Sequence, residues 1–80
     1  MISINFHGFH RKLVGTPQIH VPVTEEMRVG DILQYITERY PQLALSEHGV
    51  LATVNHKVVG LDHPLRANDS ISFLPHLGGG

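Results

Sequence analysis

Asp62-His63-Pro64-Leu65-Arg66-Ala67-Asn68-Asp69-Ser70-Ile71-Ser72-Phe73-Leu74-Pro75 is the stretch on which the fold turns. It reads as loop, turn and strand, in that order. Pro64 breaks regular structure, and Leu65 behind it is expected to tuck inward. Asn68-Asp69 is a turn pair, because Asn tolerates left-handed backbone. From Ser70 onward, Ile71 and Phe73 alternate with Ser70 and Ser72, the period of a half-buried strand. Phe73 shares a side with Ile71 and belongs to the core. Leu74 then faces the other way. Pro75 ends the strand, and His76-Leu77-Gly78-Gly79-Gly80 follows.

Working outward, residues 50–55 are strand-like, and Asn55-His56-Lys57 is a compact turn into Val58-Val59. Residues 60–67 form a longer loop. Earlier, the period changes. Val29, Ile32, Leu33 and Ile36 stand at i, i+3, i+4 and i+7, the stripe of an amphipathic helix. Asp31 falls in its first turn, where a carboxylate suits the helix dipole. Pro41 stops it, since proline disfavours helical backbone in its predecessor. The spacing predicts a helix over 29–40. Residues 42–49 then connect, with Leu43 and Leu45 capping the core.

At the start, Ile2, Ile4 and Phe6 alternate with Ser3 and Asn5, and Ile19, Val21 and Val23 alternate with Gln18, His20 and Pro22. These are two strands, most simply a hairpin. Gly8 and Gly15-Thr16-Pro17 mark the turn region, and Arg11-Lys12-Leu13-Val14 extends a strand or lies in the hairpin loop. Pro22 lacks a backbone donor, which places the second strand at a sheet edge or puts Pro22 at its end. The order is strand, strand, helix, strand, short strand, strand. One main helix across a mixed sheet of four to five strands buries one stripe against one sheet face, an α+β fold. Residues 1–75 form this domain and 76–80 a flexible tail.

Composition narrows the function. Eighty residues allow one domain with a small core. There is no Cys, hence no disulfide and no thiolate metal ligand, as in a cytoplasmic protein. No apolar run approaches a membrane span, and Met1-Ile2-Ser3-Ile4-Asn5 lacks the pattern of a signal peptide. The six Lys and Arg residues are scattered and the net charge is −1, so no basic face announces nucleic acid.

The glycine tail has two readings. It is an idle terminus or linker remnant, or it is a slim handle that enters a narrow tunnel in a partner. Glycine orders at high entropic cost and adds no core contact. Its extended reach from His76 to Gly80 is roughly 17 Å, at about 3.3–3.6 Å per residue.

Val29-Gly30-Asp31-Ile32-Leu33, Val54-Asn55-His56-Lys57-Val58-Val59 and the stretch 62–75 with its glycine tail resemble the ubiquitin-like β-grasp sulfur carriers. These include the small subunit of molybdopterin synthase and the thiamine-pathway sulfur carrier. The likeness spans nearly the whole chain and is most specific in the second half. The Asp62-His63-Pro64-Leu65 loop and Phe73-Leu74-Pro75 bring the molybdopterin branch closest. Two departures stand out. The family ends in a Gly-Gly pair, which maps onto Gly79 and Gly80 and leaves Gly78 extra; processing at Gly80 would make the pair Gly78 and Gly79. Asn68 stands where the family often has glycine.

The resemblance implies a β-grasp fold and a protein cosubstrate without its own active site or cofactor. An ATP-dependent activating enzyme would adenylate the carboxylate of Gly80. Sulfur from a persulfide would then give a thiocarboxylate that donates sulfur in a partner's active site. That partner is the larger catalytic subunit of molybdopterin synthase or another sulfur acceptor enzyme. No nucleic-acid or membrane partner is implied. Gly78, Gly79 and Gly80 carry the chemistry; Leu74, Pro75 and Leu77 are the expected partner contacts at the tail root. A thiamine-pathway carrier, a modifier joined to target lysines, and an inert binding module are the alternatives.

Other features carry less. Seven histidines are dispersed, with no Cys and no acidic cluster, so no metal site is expected. No nucleophile elbow surrounds Ser3, Ser46, Ser70 or Ser72. Glu25-Glu26 reads as a solvated turn.

Overall fold

A computed structural model of the chain describes residues 1–43, 45 and 49–75. The elements are β1 (Ile2–Asn5), α1 (Gly8–Val14), β2 (Gln18–Val21), α2 (Val29–Arg39), a 3-10 turn (Pro41–Leu43), β3 (Val50–Val54), β4 (Lys57–Val59) and β5 (Ser70–Pro75). The sheet order is β2-β1-β5-β3-β4. β1 and β5 run parallel at the centre, and the outer pairs are antiparallel. This is the mixed β-grasp sheet, with five strands. β2 is an edge strand and Pro22 lies just past its end, where its missing donor costs nothing.

The apolar stripe of α2 explains the layering. Val29, Ile32, Leu33 and Ile36 are buried in one cluster with Ile2, Ile4, Ala52, Val54, Ile71 and Phe73 from the inner face of the sheet. Each such side chain contributes roughly 1.5–3 kcal/mol on burial. Leu43, Leu45 and Leu65 close the margins of this core, as their positions predicted. The helix ends at Arg39, with Tyr40 as its cap before Pro41.

The first turn of α2 is clasped by residues 60–65. The free N–H groups of Val29 and Gly30 donate to the carbonyls of His63 (3.0 Å) and Leu61 (2.7 Å), and Leu65 N–H donates to Met27 C=O (2.9 Å). Groups that a helix start leaves unpaired are thereby satisfied. Asp31 Oδ2 accepts from the N–H of Arg28 (2.8 Å), whose guanidinium donates to Asp62 C=O (2.7 Å). The approach is close: a Cβ on Gly30 would sit 3.2 Å from the Leu61 carbonyl oxygen. The Asp62-His63-Pro64-Leu65 motif is thus the strap on the start of the helix.

One expectation is corrected. Residues 11–14 are neither strand nor hairpin loop but the second half of α1. With only seven residues, α1 cannot write a full stripe. None of its side chains is fully buried, and only Leu13 and Val14 lean on the core. What ends it is Gly15, at φ 91°, whose N–H closes on Arg11 C=O (2.9 Å). β1 and β2 still pair antiparallel, with a helix inside their connection.

Beyond α2, two turns need left-handed backbone. Asn55 and His56 have φ 52° and 72° between β3 and β4, as a two-residue hairpin turn requires. Asn68 has φ 71°. Asp69 braces both turns: one carboxylate oxygen accepts from Arg66 N–H (2.8 Å), the other from the Asn55 side-chain amide (3.0 Å). Asn68→Gly should therefore leave stability nearly unchanged, while Asn68→Val should cost about 1–2 kcal/mol from left-handed strain. Urea unfolding of the three proteins measures this directly.

Candidate functional site: the open face of the sheet

The face opposite α2 carries the other half of each strand's alternation. Leu74 of β5 stands directly beside Leu51 of β3, both half-buried. Thr53 pairs with Ser72 on one side and with Val58 of β4 on the other. Val58 is 64% exposed and lies diagonal to Leu51, a spacing that side chains bridge in sheets. Leu74, Leu51 and Val58 thus make an apolar patch.

Beside this patch runs an open concavity of about 950 Å³, whose lining includes Asn5, His7, Arg11, Gln18, Thr53, His56, Ser72 and Leu74. Its polar floor is tied together. The Gln18 amide donates to Asn5 Oδ1 (2.8 Å), and the Asn5 amide donates to Ser70 Oγ (2.7 Å). The His7 ring nitrogen Nε2 lies 3.0 Å from Ser72 Oγ. These bonds tie the polar side chains to one another, and Leu74, Phe6 and Pro17 supply apolar lining.

Of the expected partner contacts, Leu74 sits on this face as its alternation foretold. Pro75 closes β5 through its pairing with Val50. Leu77, Gly78, Gly79 and Gly80 lie outside the described residues. The direction of the chain at Pro75 is nevertheless fixed. β1 runs parallel to β5, so β5 finishes at the end of the sheet where β1 gives way to His7 and α1. Phe9 of α1, 71% exposed, stands at that end.

Leu51, Val58 and His7 were not singled out from sequence. Leu51 sits in a continuous run of apolar residues, and Val58 beside Val59 gives no alternation to choose a face. Only the register sorts them.

Among the described residues no polar or charged side chain is buried. Ser72 and His7 touch, and among the described residues no Asp or Glu lines the concavity beside the imidazole, where a triad would need one. Among the described residues no three His, Cys, Asp or Glu converge as a metal site would demand, and no helix is long and apolar enough to cross a membrane.

The two sheet faces differ in what they tolerate. Val58→Asp should shift the thermal midpoint by no more than a surface change does, within ~0.5 kcal/mol. Ile71→Asp, fully buried, should abolish folding. Circular dichroism melts of both variants check the assignment of faces.

Against this geometry the relatives can be set. A family model described as the ThiS family matches residues 4–80. The molybdopterin synthase sulfur carrier subunit of Escherichia coli (strain K12) is 37% identical over 84 aligned residues, covering 100% of both chains. Among solved structures, the putative molybdopterin converting factor, subunit 1, from Pyrococcus furiosus superposes with a TM-score of 0.81 at 21% identity, over 95% of this chain and 97% of that one. The small archaeal modifier protein 1 of Haloferax volcanii gives 0.79 at 19% identity, over 95% and 97%. At these identities the two structures speak for the fold alone.

Proposed function

This chain belongs to the ThiS family, and from that premise we propose that it is a sulfur carrier acting in molybdopterin biosynthesis through its terminal glycine carboxylate. The observation that carries the reading is the end-to-end match to a molybdopterin synthase sulfur carrier subunit, at 37% identity. The family match also runs through residue 80 and so takes in the glycine tail.

A carboxylate is a poor electrophile, and this sets the order of events. An activating enzyme directs an oxygen of the Gly80 carboxylate onto the α-phosphorus of ATP, and pyrophosphate leaves. The terminal sulfur of a protein persulfide attacks the acyl adenylate and expels AMP, giving an acyl disulfide. A thiol reduces that disulfide and releases the thiocarboxylate. The sulfur then passes to the substrate in the larger synthase subunit. The chain supplies reach through Gly78, Gly79 and Gly80 and recognition through Leu74, Pro75 and Leu77, with Leu51 and Val58 extending the patch. It holds no catalytic group of its own and acts as a cosubstrate.

The absence of Cβ atoms in the tail lets it enter a tunnel that a side chain would block. One bulky residue appended after Gly80 should therefore silence sulfur transfer. Leu74→Glu should lower kcat/KM for adenylation by roughly thirtyfold, as loss of a 2 kcal/mol interface contact implies, with the fold retained. The deciding measurement is intact mass after incubation with the activating enzyme, ATP and a sulfur source. Exchange of one oxygen for sulfur supports the carrier. Chains attached to target lysines would make it a modifier, and an unmodified mass would overturn the reading.

A further inference from the structure

The concavity beside Leu74 has a charge pattern that sulfur carriage by itself does not require. Arg11 from α1, His7 from the junction after β1 and His56 from the β3–β4 turn line it, and among the described residues no Asp or Glu does. Several carboxylates of the described residues are engaged elsewhere. Asp31 closes the first turn of α2, Asp69 braces Arg66 and Asn55, and Glu38 accepts from Gln34. Among the described lining residues the permanent charge is therefore of one sign, on Arg11.

Arg11 is exposed, and it shares the wall with Leu74. A protein that covers Leu74 and extends across the concavity to Arg11 also strips water from this guanidinium. Leaving a charge desolvated and unpaired is costly. A carboxylate set opposite it removes the cost, and the planar fork of Arg matches one through two parallel hydrogen bonds. One-signed surfaces also speed encounter with partners of opposite sign.

We propose that the activating enzyme meets this face with an acidic surface, an apolar centre on Leu74 and Leu51 flanked by a carboxylate against Arg11. This rests on the reading of the chain as a carrier that docks through the Leu74 face.

The test is steady-state pyrophosphate release by the activating enzyme with ATP and the full chain, run across ionic strengths from about 50 to about 300 mM, which spans strong to weak screening. Arg11→Glu should raise KM roughly tenfold, about 1.4 kcal/mol, with kcat nearly unchanged. Arg11→Lys should restore part of the loss. The wild-type kcat/KM should fall with salt, and the Arg11→Glu variant should lose that slope. Arg11→Gln, a smaller charge change, carries the same test should the glutamate lower the thermal midpoint. Unchanged KM and salt slope in Arg11→Glu, with the wild type adenylated, would overturn the acidic surface and leave the carrier reading standing. No adenylation of the wild type at all would overturn both.

Discussion

β5 is held between β1 and β3, parallel to the first and antiparallel to the second. Everything functional about the molecule depends on that placement. A strand with a neighbour on each side has its backbone groups paired along both edges, and Ile71 and Phe73 bury its inner face at 0% and 3% exposure. The most firmly held segment of the sheet is thus the one that leads into the C-terminal glycines. A strand at the edge would have given the same sequence a frayed end with no fixed heading. At the centre, the chain leaves the sheet from a defined point, beside the junction of β1 and α1.

The same strand divides labour between two faces. Ile71 and Phe73 build the core beneath α2, and Ser70, Ser72 and Leu74 face the open side. The buried core and the open face are therefore written in alternate residues of one segment. In a domain of 80 residues, where surface is large relative to core, this economy is needed. Beside the apolar patch the open face carries a short hydrogen-bonded polar tract, Gln18 to Asn5 to Ser70.

The strap 60–65 solves a second problem. A helix that begins without a Ser, Thr, Asn or Asp at its cap needs partners for its first amides. Arg28 holds that position, and the carbonyls of Leu61 and His63 take the place of a capping side chain. The loop so tied also delivers Leu65 to the core. Local backbone chemistry and global packing agree here, which is the mark of a sequence that specifies one fold.

The alternation at 70–74, the helical stripe at 29–36, the left-handed turn at Asn68 and the inward Leu65 were all legible in the sequence, because each is a local pattern whose period or turn chemistry needs no distant partner. So was the resemblance that gave the β-grasp fold. The helix α1 was not legible: seven residues with Leu13 and Val14 adjacent carry no period, and contact with the core margin decided their conformation. Nor was the assembly of the open face. Leu51, Val58, His7 and Arg11 come from four segments that local pattern cannot relate. The cross-strand register, set by how the inner face packs on α2, chose which side each one shows. The sequence by itself determined the strands, the helix α2 and the turns between them. The tertiary structure alone decided which side chains stand together, because neighbours across a sheet are fixed by long-range pairing and not by position along the chain.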